Sequence, residues 1–173
     1  MATDPPQGEV RTVELTAEPI SAQAFAPYGT LIEAIADGQL FGPSEAQLAL
    51  TAGTPRLYIM ELPRRALQVR LLTRHRAVTQ CLASAGGKEW FIVVAPPDGL
   101  NDPSAEPNIG MVRGFRIPGD VAVKMHRGTW HAGPYFVGET ARFLNLELAD
   151  TNQVDHQSTM LGSRFGFEYD IRV

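Results

Sequence analysis

The sequence predicts an all-β fold, an antiparallel sandwich or barrel with short helical pieces at its edges. Beyond residue 55 the chain breaks into short runs at 56–62, 69–73, 78–83, 90–95, 111–117, 121–126 and 141–148, each bounded by Gly, Pro or Asp. Many of these runs alternate apolar and polar residues, the period of a strand with one buried face. No sustained helical period joins them, which argues against strand–helix–strand units. With 173 residues the chain is sized for one domain. We read a polar tail over 1–10 and a single barrel over 11–173.

The elements follow in order. Residues 12–15 are β-like. Ser21 is placed to cap a short helix through Ala24 and Phe25, and Gly29 after Tyr28 reads as its left-handed exit. Residues 30–35 read as a strand, and 36–54 as a polar loop with at most one helical turn. Gly86 and Gly87, before Lys88 and Glu89, read as a hairpin turn. Residues 96–108 form a loop rich in Pro, Asp and Asn. From 152 the chain reads as a tail packed across the barrel, β-like again over 167–173.

Composition narrows the function classes. Hydrophobic residues make up 44% and charged residues 20%, so the chain has the means to bury a core. A net charge of −4 without any long basic run argues against nucleic acid as a partner. Cys81 is the one cysteine, which excludes an intrachain disulfide and a thiolate metal cluster. Within its β-like run it reads as a small core residue. The N-terminus lacks the layout of a signal peptide. The longest strongly apolar run, 90–95, is too short to cross a bilayer. The expectation is a cytoplasmic protein acting on a small molecule, with neither nucleic acid nor membrane as partner. The sequence carries no phosphate loop, no dinucleotide fingerprint and no GxSxG nucleophile elbow.

Chemistry concentrates between 119 and 147. Two of the four histidines, His126 and His131, lie five residues apart with Arg127, Gly128 and Trp130 between them. Histidine is the side chain best suited to acid–base work near neutrality, whereas Trp130 reads as a core anchor. Alternation over 141–148 puts Phe143, Asn145 and Glu147 on one face and Arg142, Leu144, Leu146 and Leu148 on the other. Facing inward, Asn145 and Glu147 need partners or water; facing outward they are simply solvated, and the strand alone leaves both open. His126 closes the preceding strand on the face of Lys124. A second cluster, Thr73, Arg74 and His75 with Thr79 and Gln80, reads equally as a polar loop. Arg56, Arg113 and Arg116 offer guanidinium forks that match carboxylates.

At these residues the chain resembles the ureidoglycolate lyases of the cupin superfamily. AFAPYGTLIEA over 24–34 is similar to that family's Phe-x-x-Tyr-Gly-x-x-Ile-Glu opening. RHRAVTQCLASAGGKEWFIVVAPP over 74–97 resembles its Arg-His-x-x-x-Thr-Gln segment and the strand after it. VKMHRGTWHAGPYF over 123–136 resembles its His-Arg-x-x-Trp-His signature, and FLNLELADTNQVD over 143–155 its acidic strand and Asn-x-x-Asp element. The resemblance implies a double-stranded β-helix, usually a homodimer, that cleaves ureidoglycolate to glyoxylate and urea in allantoin catabolism. Carried over, the matching positions are His75, Thr79, Gln80, His126, Arg127, Trp130, His131, Glu147 and Asp155. The roles implied are Glu147 or His131 as base, His126 as acid and Arg127 as carboxylate partner. Gln80 orients the ureido group, and Thr79, His75 and Trp130 complete the binding set.

Two departures stand out. Metal-binding cupins offer His-x-His and a Glu on one motif and a His on the other. Here only His75 of that pair remains and Gln80 stands at the carboxylate's position. His75, Gln80 and His131 are the residual set, and no cofactor beyond a weakly bound divalent ion is expected. His-Ala-Gly-Pro after Trp130, where many members read His-His-Pro, and the insertion FGPSEAQLAL over 41–50 mark a divergent branch. The alternative reading is a cupin that binds or converts another small carboxylate or sugar acid, or a non-catalytic binder.

Overall fold

The computed structural model describes residues 9–173; residues 1–8 of the tail read at 1–10 lie outside the described residues. The chain runs through β1 (Arg11–Pro19), α1 (Ala22–Phe25), β2 (Gly29–Ile32), β3 (Pro55–Pro63), β4 (Gln68–Val69), β5 (Leu71–Arg74), β6 (Gln80–Ser84) and β7 (Trp90–Ala95). A 3-10 turn (Ile109–Met111) leads into β8 (Arg113–Ile117), β9 (Ala122–Met125), β10 (Trp130–Tyr135) and β11 (Thr140–Leu148). The chain closes with α2 (Thr151–Val154), β12 (Gln157–Met160), α3 (Leu161–Phe165) and β13 (Phe167–Arg172).

These strands form two sheets. One has eight strands in the order β12, β5, β10, β7, β8, β1, β13, β4; the other has five, β2, β9, β6, β11, β3. The fold is all-β, two mostly antiparallel sheets with short peripheral helices, as expected. Pairing is antiparallel except at β1, which runs parallel to both β8 and β13. The N-terminal strand is thus an insertion between the ends of later elements.

Local chemistry accounts for most boundaries. The Ser21 hydroxyl accepts from Ala24 N at 3.2 Å and starts α1. Gly166, left-handed at φ 76°, ends α3. Gly29 does not serve as a left-handed exit. A Cβ there would meet the Lys124 carbonyl oxygen at 2.1 Å, so glycine is required for the close approach of β2 to β9. Gly86 and Gly87 do not close a hairpin either, because β6 and β7 belong to different sheets; Gly87, at φ 69°, turns the chain from one to the other. The run at 69–73 is split into β4 and β5 at Arg70, whose carbonyl accepts from Leu161 N. Strand β10 has no sequence counterpart, since Gly133-Pro134 reads as a breaker. The strand absorbs that pair in a register shift between Ala132 and Tyr135, with Gly133 at φ 133°.

Strand β7 is buried along its whole length. Trp90, Ile92 and Val94 pack into one core cluster with Phe25, Phe115, Val123, Met125 and Phe143, between the sheets. Phe91, Val93 and Ala95 pack on the opposite face with Leu72, Trp130, Tyr169 and Ile171. The first cluster plugs one end of the barrel and leaves the other end open.

Gly29→Ala is expected to lower the free energy of unfolding by about 1–3 kcal/mol, since the new methyl must displace backbone. Gly42→Ala, where a Cβ meets nothing within 4 Å, is the control and should change little. Urea denaturation curves that coincide for the two variants would refute the close-approach account.

Candidate active site

The open end of the barrel holds a cavity of ≈ 530 Å³. His75, Gln80, His131, Asn145 and Glu147 line it together with Tyr58. Alternation brings them there. On β11, Phe143, Asn145 and Glu147 all point inward, at 0, 2 and 1% exposure. The inward reading of that strand is therefore the right one. On β5, Leu72 and Arg74 face the outer core while Thr73 and the following His75 face the cavity. On β10, Trp130 and Ala132 join the outer core and His131 turns in.

Glu147 is the centre of a hydrogen-bonded network. One carboxylate oxygen accepts from Tyr58 Oη at 3.1 Å and from Asn152 Nδ2 at 3.2 Å; the other accepts from Gln80 Nε2 at 2.9 Å. Asn145 Nδ2 donates to Tyr58 Oη at 3.1 Å. Three donors satisfy a carboxylate that is almost entirely removed from water. Burial raises the Tyr58 phenol, opposed by the Asn145 donor.

The two imidazoles are held from behind. His75 Nδ1 bonds the Asp155 carbonyl, and His131 Nδ1 the Thr129 carbonyl at 3.1 Å. A carbonyl only accepts, so Nδ1 carries the proton in each ring and Nε2 presents a lone pair. The ring centroids are 5.2 Å apart. Burial is the main cause that holds His131 down to about 3, with His75 a further one. Burial also lowers His75, against the opposing pull of the Asp155 carbonyl. Both rings are neutral at pH 7. The Asp155 carboxylate caps the Arg76 and Ala77 N–H groups at 2.7 Å each and so fixes the turn that carries His75.

Four expected site residues lie elsewhere. His126 shares a face with Lys124, as read, but Val123 and Met125 occupy the inner face of β9. His126 therefore points outward. Its Nδ1 accepts from Lys124 Nζ at 3.0 Å, its Nε2 donates to Ala26 O at 3.2 Å, and it lines a separate cavity with residues of 22–46. Arg127 is exposed in the turn after β9. Thr79 Oγ1 accepts from Ala49 N at 2.9 Å and pins the 33–54 loop. Trp130 is fully buried beneath the Arg74 guanidinium, 4.6 Å from its ring. Conversely, Tyr58 and Arg65 line the cavity without having been singled out for it, and Asn152 and His156 join them. For Tyr58 the available signal was its alternation with Met60 and Leu62. Arg56, read as a carboxylate fork, lies 3.8 Å above the Tyr58 ring instead.

Among the described residues no three His, Cys, Asp or Glu side chains converge to hold a metal ion. His75, His131 and the amide of Gln80 make a weak set for a transition metal.

The buried carboxylate, its bonded phenol and the two neutral imidazoles equip this open end of the barrel for acid–base chemistry on a small molecule, the work of an enzyme. The family model described as ureidoglycolate lyase matches residues 12–168, and the chain belongs to that family. It is 31% identical over 149 residues to a ureidoglycolate lyase of Pseudomonas fluorescens, covering 79% of this chain and 86% of that one. It is 33% identical over 145 residues to one of Stutzerimonas stutzeri, covering 77% and 82%. Among solved structures, a dTDP sugar isomerase from Desulfovibrio desulfuricans G20 matches at 18% identity and TM-score 0.43, over 77% of this chain and 81% of that one.

The depressed imidazoles link stability to pH. Above about pH 6.5 His131 is neutral in both the folded and unfolded chain, and the folded state keeps its full advantage. As pH falls from about 6.5 toward 3, the unfolded chain takes up a proton that folded His131 refuses, so stability declines. His131→Gln should make the fall in unfolding free energy between about pH 6 and 4 shallower by about one proton. Parallel curves for wild type and variant across that window would show that His131 titrates normally.

Proposed function

We propose that this protein is a carbon–nitrogen lyase that converts ureidoglycolate to glyoxylate and urea. The observation that carries the reading is the hydrogen bond between Tyr58 and Glu147 in the cavity wall, a proton acceptor and a proton donor in contact. Family membership supports the same chemistry.

The elimination moves one proton from oxygen to nitrogen. Glu147 takes the proton of the carbinol hydroxyl, the oxygen pair forms the aldehyde C=O, and the C–N bond breaks. Tyr58 delivers its proton to the departing ureido nitrogen. The proton on Glu147 then returns to Tyr58 along their shared hydrogen bond, which resets the site without any oxidant or reductant. Neutral His75 and His131 accept hydrogen bonds from substrate through Nε2. Arg65, at the cavity lining and 5.7 Å from the Tyr135 ring, takes the substrate carboxylate in place of Arg127. A divalent ion enters only as a weakly held accessory.

The reading extends to a cytoplasmic homodimer acting in allantoin catabolism, on the strength of the family resemblance. For the dimer, Leu57, Ile59 and Leu144 give support: they are 66, 58 and 38% exposed on the outer face of the five-stranded sheet. Among the described residues no helix is long and apolar enough to cross a membrane.

Glu147→Gln should reduce glyoxylate release by roughly a hundred- to ten-thousand-fold while the variant still unfolds cooperatively. His126→Asn should leave kcat/KM close to wild type. Prior chelation should not change the wild-type rate. If wild-type protein releases no glyoxylate above the uncatalysed rate, with or without added nickel, manganese or zinc, the lyase reading is wrong.

A further inference from the structure

The cavity at the open end is larger than ureidoglycolate needs, and its two halves differ. Its ≈ 530 Å³ lies in the range that holds a ligand of drug size, about 300–1,000 Å³. Three strands of the wall change character in the same direction. Along β3 the lining passes from Tyr58 to Met60 and Leu62. Along β10 it passes from His131 to Pro134 and Tyr135. From His75, just past the end of β5, it passes back to Leu71. The polar ends coincide, since the His75 and His131 rings lie 5.2 Å apart and His131 pairs with Thr73. The far ends coincide too, since Arg65, just past β3, lies 5.7 Å from the Tyr135 ring. Tyr58 and Leu62 are separated by about 13 Å at the rise of an extended strand. One half thus holds the carboxylate, the phenol and the imidazoles, and the other is walled by hydrocarbon.

The polar groups beside the hydrocarbon half are already engaged. Tyr135 donates its hydroxyl to the Gln68 carbonyl at 3.1 Å, which leaves its ring as wall. Arg70 Nε donates to Gln68 Oε1 at 3.0 Å and pairs with Glu168 at 3.3 Å. Met60 and Leu62 stay half-buried and Leu71 is 39% exposed. Apolar surface left facing water in a cavity is a cost that a ligand with an apolar part removes.

We infer that the half walled by Met60, Leu62, Leu71, Pro134 and Tyr135 is a second subsite, which holds a short hydrocarbon chain on the carbinol carbon of the substrate. The preferred substrate is then a 2-hydroxy-2-ureido acid longer than ureidoglycolate. This rests on the lyase reading for the head of the substrate, though binding tests the subsite separately. The position of the chain follows from the chemistry of the reacting carbon, which carries a carboxylate, a hydroxyl, a ureido nitrogen and a hydrogen. The first three need polar partners, which the hydrocarbon wall does not supply. The hydrogen is the one substituent that a chain replaces without loss of a hydrogen-bonding group. The carboxylate stays with Arg65 and the hydroxyl with Glu147, and the chain lies along the wall. The elimination keeps its balance. The C–N bond breaks, the proton passes from oxygen to nitrogen, and urea leaves with a 2-oxo acid in place of glyoxylate.

The test is a series of 2-hydroxy acids: glycolate, 2-hydroxybutyrate and 2-hydroxyhexanoate. They share the carboxylate and the hydroxyl, lengthen the chain stepwise, and lack the ureido nitrogen, so none is cleaved. Titration calorimetry on the full-length protein should show affinity rising about threefold for each added carbon, roughly fiftyfold or more from first to last. Leu71→Gln and Leu62→Gln should each flatten the rise. Val137→Gln, at an exposed position outside the cavity lining, should keep it. Affinities that stay level or fall along the series in the wild type overturn the inference without need of any variant. The adduct of urea with 2-oxohexanoate should be cleaved with a higher kcat/KM than ureidoglycolate, and a lower value takes the chain out of the substrate. A rising series without cleavage of either compound would leave the subsite standing and sink the lyase reading. Glyoxylate release with a level series would do the reverse.

Discussion

The Glu147 carboxylate is 1% exposed inside a β-barrel, and the rest of the open end is arranged around keeping it there. A carboxylate taken out of water must be met by donors or it will not stay charged. Here the donors come from three places: Tyr58 on β3, Gln80 on β6 and Asn152 on α2. Strand register is tied to the same requirement. A slip of β11 by one residue would turn Glu147 and Asn145 out and bring Leu146 and Leu148 in, stranding the three donors. The nine-residue ladder between β11 and β3 resists that slip and carries Tyr58 opposite Asn145.

Satisfying the carboxylate has a cost one bond further out. Gln80 and Asn145, which lend their nitrogens to the network, leave their oxygens without a donor. A purely structural network would have closed these ends, as buried polar groups generally do. Beside this network the cavity presents the lone pairs of two neutral imidazoles. It is rich in acceptors and lone pairs and suited to a ligand rich in N–H and O–H. The aromatic and aliphatic cluster around Phe143, Trp90 and Met125 closes the floor and keeps water from filling it from below.

A second device holds the rim. Arg74 is fully buried, stacked on Trp130 and bonded to Gln157 and to the carbonyls of Asp98, Gly99 and Asp102. Gln157 in turn donates to the Pro103 and Ala105 carbonyls. One guanidinium thus joins β5, the 96–108 loop and β12, and His75 is the first residue past the end of β5. The Asp155 carboxylate caps the turn after it. The position of an imidazole in the cavity is set by side chains that never touch the cavity.

Much of this was legible in the sequence. Short alternating runs bounded by turn residues define strands, because one buried face imposes a period of two. That rule placed Asn145 with Glu147, and His126 with Lys124. The family resemblance supplied His75, Gln80, His131 and Glu147 as one set. What alternation cannot say is which face of a strand is the inner one when both carry apolar residues. On β9 Val123 and Met125 took the interior and left His126 outside. On β3 Leu57 and Ile59 took the outside and sent Tyr58 in. Those choices depend on what packs opposite, which for β9 is the Trp90, Ile92 and Val94 face of β7, in the other sheet. Strand β10 was hidden because a Gly-Pro pair ends strands unless the partner strand tolerates a register shift, and only the pairing with β7 reveals that it does. The sequence by itself determined the fold class, the alternation and the residue chemistry. The tertiary structure alone decided which of those residues share a cavity, because that is a matter of packing between segments far apart in the chain.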